Sequence, residues 1–444
     1  MNRKLTRRSF LRRSAMTGAS FALAVSGIDV VRAGNKTTIS SSRARRRATE
    51  LQLMMVDYSD PVKEALENVI VPGFVNENPE LSVTVNYSDW GRYNEEMTTA
   101  FAAGVTPDVF QGGAVWAPQM ARRHWALVLN DFIAGDDEWD WNDFPPGLQA
   151  DVTVNGQIVG VPYRQDLRTL WYRKDTLAEA GFDAPPTTWD EFLQVALATT
   201  KRDGDIFEVE GYQFSSGNDT NWQRDWQPYL IWLEQAGGSM LSDDLTKCTV
   251  NSEQGIAALQ FLQDLVHVHQ VTRYPGLDSQ GDLNPVEIGQ AAMEFGNADF
   301  EREIDLYAPE QADNVFPTLP LTGAVQATHA WVNKFFVSSM SKHPEEAWAL
   351  LRFLTSKDML EVYCAANVNT PPRLSMMDAA YMSEKHKIIL ASAQYAQTFP
   401  QHPNLIELFR PIAAELEQCL SGNKSAEDAL NDAAKNVDEI LKED

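Results

Sequence analysis

Apolar positions along the first third of the chain switch between two periods. Residues 50–57 (ELQLMMVD) read as a buried first strand. Asp60-Pro61 then opens a helix with the proline at its first position, and Val62, Leu66, Val69 and Ile70 recur at helical spacing. Leu81 to Tyr87 alternates apolar and polar, which predicts a second strand. A helix over Tyr93 to Ala103 follows, and Thr106-Pro107-Asp108-Val109-Phe110 opens a third strand. This alternation predicts a parallel sheet whose ligand-binding loops collect at the carboxyl ends of its strands. Further on, Trp222 to Glu234 is aromatic-rich and helical and ends at Gly237-Gly238. Ser252 to His269 is amphipathic through Ile256, Leu259, Leu262 and Val266. Ala330 to Ser338 reads as strand, Pro344 leads a helix to Leu354, Asn367 to Pro372 is a loop, and the chain is mostly helical from Leu405.

The stretch from Gly156 to Phe192 has a pattern of its own. A short apolar strand, Ile158 to Val161, is stopped by Pro162. Tyr163-Arg164-Gln165-Asp166 then forms a polar turn, and Thr169 to Tyr172 resumes as strand. A helix from Asp175 ends near Gly181, and Thr188 with Glu191 three residues on spells a capping box for the next. A strand that breaks, exposes Tyr, Arg, Gln and Asp, and resumes predicts a chain crossing between two lobes.

The chain has 444 residues and is 44% hydrophobic, enough for more than one core and too apolar for disorder. No run approaches the roughly 18 apolar residues of a membrane span. The formal net charge of −25 sets the protein against nucleic acid and anionic membrane as partners. Thr6-Arg7-Arg8-Ser9-Phe10-Leu11-Arg12 fits the twin-arginine export pattern. A weakly apolar stretch follows, with Val31-Arg32-Ala33 as a small-residue cleavage site. That predicts a signal peptide over 1–33, a disordered leader over 34–48 and a periplasmic protein. The three cysteines, Cys248, Cys364 and Cys419, show no pairing or zinc spacing.

The same stretch resembles a segment of the bacterial extracellular solute-binding proteins of family 1, the sugar-binding subunits of ABC importers. The resemblance is carried by Gly156, Gly160, Pro162, Tyr172, Lys174, Asp175, Ala180, Gly181, Pro186, Thr188, Trp189, Asp190, Glu191 and Phe192. It continues through Thr106 to Phe110, Gly289 to Met293, Ser341 to Trp348 and Asn369 to Arg373, in the family's order.

The resemblance implies an α/β, two-lobe periplasmic-binding-protein fold (type II), hinged, with the ligand cleft between the lobes. Crossings are expected near Pro162, Trp331 and Val368, with residues 49–162 and 331–367 in one lobe and 163–330 and 368–444 in the other. It implies a monomer without cofactor or metal that captures a sugar by hinge closure and hands it to the transmembrane subunits of a permease.

Sugars stack C–H faces on aromatic rings and exchange hydrogen bonds with acids, amides and arginine. Residues of those types fall at expected strand ends: Tyr58, Asp89 with Trp90, Gln111 to Trp116, Tyr163, Arg164 and Asp166, Trp222 with Asp225, Trp226 and Gln227, Asn297 with Asp299, Trp331, and Arg373. The resemblance places an acid for sugar hydroxyls at Asp166 and an acid–aromatic contact at Asp225-Trp226-Gln227. Asp89 is equally a helix cap, and Asp166 equally a partner for Arg164 or Arg168. Gly112-Gly113 stand where some relatives carry a Trp or a charge.

Two other readings stay open. A binder of sn-glycerol 3-phosphate or another anionic solute would clamp it with Arg164, Arg168, Arg224 or Arg373. A secreted carbohydrate-active enzyme would need two facing carboxylates, which spacing alone does not reveal. No GxSxG, P-loop or GxGxxG occurs, and His267 and His269 lie on different faces of a helix.

Overall fold

A computed structural model describes residues 28–41, 49–204, 206–214 and 221–442, with only the backbone described for 221–224. The chain divides into two compact units. The first holds the residues up to Gln165 together with Val332–Met382, and the second holds Asp166–Trp331 and Ser383–Asp444.

The first unit is built on a sheet ordered β1-β2-β4-β3-β5, where β1 is Ile28–Ala33, β2 Lys36–Ser41, β3 Thr49–Val56, β4 Leu81–Ser88 and β5 Val109–Gly112. β3 runs parallel to β4 and β5, as the alternating pattern predicts. Beyond β5 the sheet continues through Lys334–Val337, paired antiparallel to it. The sheet is therefore mixed. Leu51, Leu53, Met55, Val83 and Val85 face a core shared with Phe74, Leu350 and Tyr363. The helix that starts at Asp60 carries a π turn at Leu66–Ile70 before it resumes to Glu77. α1 (Trp90–Ala103) is capped by Asp89 at one end and closed by Gly104 in the left-handed region (φ 67°) at the other.

Residues 28–33 and 36–41, read as signal peptide and disordered leader, form an antiparallel hairpin on the edge of the sheet. Glu67 holds it in place: it accepts from Thr37 Oγ1 and from Arg32 Nε, each at 2.7 Å. Cleavage at Val31-Arg32-Ala33 would remove β1. The twin-arginine pattern and residues 42–48 lie outside the described residues.

The expected break at Pro162 is absent. Val161–Leu167 is one continuous, wholly buried strand. Pro162 is its second residue, where a missing N–H is tolerated. Tyr163, Arg164 and Asp166 are thus strand residues inside the fold, not turn residues outside it.

In the second unit Thr169–Arg173 is the middle of a three-stranded sheet, antiparallel to Met293–Gly296 and to Val315–Pro317. Trp171, Phe300, Ile304 and Ile389 pack around it. The helix Trp189–Thr199 begins where expected, with Thr188 accepting from the Glu191 amide at 3.2 Å. Glu191 reaches back to the amide and hydroxyl of Thr187, one residue earlier than a capping box requires. Ser252 caps the helix Glu253–His267. The third boundary between the units falls at Met382/Ser383, beyond Val368. Residues 369–382 stay with the first unit because Arg373 donates to Thr355 O and Gln165 donates to Pro371 O. All three cysteines are free and buried. Among the described residues no helix is long and apolar enough to cross a membrane.

Candidate functional site

The first unit gathers aromatic and phenolic groups at the carboxyl ends of β3, β4 and β5. Tyr58 follows β3, Asp89 and Trp90 follow β4, and Gln111 lies in β5. Gln111 donates to Tyr58 Oη at 2.8 Å and accepts from the Val56 amide at 3.1 Å. The Tyr58 and Tyr163 hydroxyls are 3.2 Å apart, and Tyr93 donates to Gln111 O at 2.7 Å. Burial holds the Tyr163 and Tyr93 phenols well above their usual pKa, so both stay protonated donors. Rings continue the set: Tyr58 to Trp90 at 6.3 Å, Trp90 to Tyr93 at 5.7 Å, and Tyr93 to Trp116 at 5.7 Å. Arg164, itself buried, lies over the Tyr58 ring at 4.8 Å. Trp116 is buried, and Trp90 is the exposed member at 37%.

The loop that carries Trp116 is braced from below. Buried Lys334 donates to Ala114 O at 2.7 Å and pairs with buried Asp151. Gly112 admits no side chain, since a Cβ there would meet Phe336 at 2.3 Å. Asp89 takes the capping role: its carboxylate accepts from the Arg92 amide at 3.2 Å and from Arg92 Nε at 2.7 Å. The Arg92 hydrogen bond holds its pKa below the usual carboxylate range.

The second unit gathers acids, an amide and guanidinium groups. The Asn297 amide donates to Asp166 and, at 3.0 Å, to Asp299 Oδ2, while Asn297 Oδ1 accepts from the Asp299 amide at 3.0 Å. Arg302 donates to Asp299 Oδ1 at 2.6 Å and to Glu303 Oε1 at 3.1 Å. Arg168 lies over the Trp331 ring at 5.0 Å, with a terminal nitrogen 3.9 Å from Asp166 Oδ2. His329 meets Trp331 edge-on at 4.6 Å and hydrogen-bonds Glu234 at 2.7 Å. Burial raises the Glu234 pKa against the pull of His329.

Other sequence-predicted positions have partners of their own, and Trp226 reaches the second group through Phe399, which it meets at 5.9 Å. Asp225 is buried and accepts from Tyr274 Oη at 2.7 Å. Trp226 is buried and stacked on Phe409 at 3.8 Å. Gln227 is half-buried, and the Trp222 side chain lies outside the described residues. Arg373 is a core brace of the first unit: it donates to Thr355 O and Asp140 O, pairs with Asp143 at 3.3 Å, and lies over Phe144 at 4.2 Å. It is not available to clamp an anion. Sequence reasoning missed Arg302, Glu234 and His329. Only the Asp299–Arg302 spacing, three apart on a helix, could have signalled one of them.

The pattern of bacterial extracellular solute-binding proteins matches residues 59–361. The chain belongs to that family. Among curated relatives of this solute-binding protein, one from Deinococcus radiodurans, named as an ABC transporter-binding protein, is 27% identical over 56% of this chain and 58% of its own length. A binding protein of Brucella abortus is 25% identical over 89% of this chain and 94% of its own. A lactose-binding protein of Rhizobium radiobacter is 22% identical over 67% of this chain and 68% of its own. Among solved structures, an ABC transporter solute-binding protein of Thermotoga lettingae bound with α-D-tagatose matches with a TM-score of 0.78 and 26% identity, covering 89% of this chain and 100% of that one. The matched relatives are binding proteins rather than enzymes.

Proposed function

We propose that this protein is the substrate-binding component of an ABC importer for a neutral saccharide. One observation carries the reading. In the second unit acids, an amide and guanidinium groups stand side by side, each guanidinium facing at least one carboxylate: Arg302 with Asp299 and Glu303, and Arg168 with Asp166. Such a row exchanges hydrogen bonds with hydroxyls in both directions and offers no surplus positive charge to an anion. The first unit adds an exposed tryptophan, Trp90, backed by phenols, a surface suited to a sugar's C–H face. Lactose and tagatose among the ligands named for relatives agree with that chemistry.

The anionic alternative fits less well. Arg373 is committed to its carbonyl and Asp143 partners, and Arg164 is buried against Tyr58. A two-carboxylate hydrolase would need one acid holding its proton at the site. Asp166 and Asp299 share one amide donor, and the acids of the group whose pKa burial raises, Glu234 and Glu303, are tied to His329 and to Arg302.

Thermal-shift and tryptophan-fluorescence titrations with tagatose, lactose, maltotriose and sn-glycerol 3-phosphate test the reading. A saccharide at a hundred times its Kd should add about 2.7 kcal/mol of stability. A response to glycerol phosphate with none to any sugar would overturn it. Export is proposed to follow the twin-arginine route. Replacing Arg7 and Arg8 by Lys should leave the protein in the cytoplasmic fraction.

A further inference from the structure

Arg168 is the one guanidinium of the second unit's polar row that is held in place without being satisfied. Its backbone is fixed on both sides: the Arg168 amide donates to His329 O at 3.2 Å, and its carbonyl accepts from Thr328 Oγ1. Its side chain lies over the Trp331 ring and is 26% exposed. Among the described residues the guanidinium makes no hydrogen bond, and its Nε–H is buried without a partner. Its approach to Asp166, 3.9 Å, compensates charge but is too long for a hydrogen bond. A desolvated donor left without an acceptor is costly, and that cost is relieved when an acceptor arrives.

Trp331 is 9% exposed. His329 abuts it edge-on at 4.6 Å, Phe399 at 5.7 Å, and Arg168 covers its face. A ring so enclosed is a poor surface for a sugar to stack on. It is a good platform for a cation, because its π-face attracts the guanidinium and its fixed edges set the ring angle.

Resting on the saccharide reading, we propose that Arg168 is the specificity-determining donor of the solute site and that Trp331 acts through it, as a positioning residue, without touching the sugar. Arg168 and Asp166 then stand as donor beside acceptor. That pair recognises two hydroxyls on adjacent carbons, one accepting from the guanidinium and its neighbour donating to the carboxylate.

The probe is whichever of tagatose, lactose or maltotriose binds the wild-type protein, with affinity read by calorimetry on full-length variants whose folding is checked by circular dichroism. R168Q should weaken binding about tenfold or more, since a hydrogen bond to a charged group is lost. W331F should stay near wild type and W331L should fall with R168Q. The double variant R168Q/W331L should bind no more weakly than the weaker single, because both remove one contact. A deoxy derivative lacking the hydroxyl that accepts from Arg168 should cost the wild type as much as R168Q does and cost R168Q nothing further. Losses that add in the double variant would make Trp331 a direct stacking surface and overturn the proposal. So would R168Q binding as tightly as wild type. Failure of the wild type to bind any of the three sugars would instead strike the saccharide reading, and this proposal with it.

Discussion

The two groups of candidate residues differ in how complete they are. In the first unit the phenols and amide of the set bond one another: Gln111 uses its amide on Tyr58 and Val56, and Tyr93 donates to Gln111 O, while the buried atoms left without a hydrogen-bond partner among the described residues include neutral hydroxyls, Ser59 Oγ and Tyr363 Oη. In the second unit Arg168 Nε, His329 Nε2 and Glu234 Oε2 are buried with no hydrogen-bond partner among the described residues. A satisfied set is rigid and can offer shape and aromatic area. An unsatisfied set is where a solute's own hydroxyls change the energy most, because buried polar groups cost more unpaired than paired groups return. The first unit is therefore expected to govern stability and the second to govern which solute is held.

The largest effect tests the first half of that contrast. Lys334 and Asp151 are a fully buried pair, and Lys334 also holds the loop before Trp116. K334M removes the cation facing buried Asp151, and should cost about 3–5 kcal/mol in denaturant unfolding. Replacing both, as in K334M/D151L, should recover most of it, since apolar replacement of a buried pair is often near neutral. A double variant as unstable as the single would mean the loop, not the charge, is what matters.

The next effect tests the second half. D166N keeps the shape beside Asn297 but removes the charged acceptor, and should weaken saccharide binding by about ten- to a hundredfold with little change in Tm. W90A removes the exposed ring of the first unit and should cost less, about tenfold or below. If W90A were the more damaging, the assignment of specificity to the second unit would be reversed.

A pH series sharpens the picture of the second unit's interior. Glu287 is fully buried, with Asn284 donating to it at 2.6 Å and with Glu294, Arg302 and Lys385 among its charged neighbours. Burial raises its pKa from 4.5 to about 8. Between those values the folded chain holds a proton that the unfolded chain has released. Stability from this group is thus fully present below about pH 4.5 and is lost as pH rises through about 8. E287Q should flatten that part of the Tm profile. An unchanged slope would place the titration elsewhere, Glu294 and Glu303 being the next candidates.

How much of this was legible depended on whether the signal was local. β3, β4, α1 and the helix starts at Pro61, Thr188 and Ser252 follow from periodicity and capping residues within a few positions. The strand through Pro162 was not legible, because a proline beside four polar residues reads as a turn, and only tertiary burial makes it strand. The hairpin at 28–41 was hidden by its basic surroundings, and Glu67, its anchor, lies 30 residues from Thr37. The site divides the same way. Asp166 and Asn297 are 131 residues apart, so their meeting could be expected from family likeness but not from spacing. Arg373 was expected at a ligand and proved a core brace, since its type and loop position are the same in either role.

Asp89 gives the smallest effect and the cleanest separation of the two roles sequence left open. It follows β4 beside the exposed Trp90, where a sugar contact was expected, yet its carboxylate is spent on the first turn of α1 and on Arg92. As a cap alone, D89A should lower Tm, and D89S should restore most of the loss because a serine hydroxyl can accept the same amide. Saccharide affinity should be unchanged in both. If D89S recovered stability while binding stayed weak, the carboxylate would be touching the solute, and the first unit would hold an acid of its own for sugar hydroxyls, narrowing the difference between the two units.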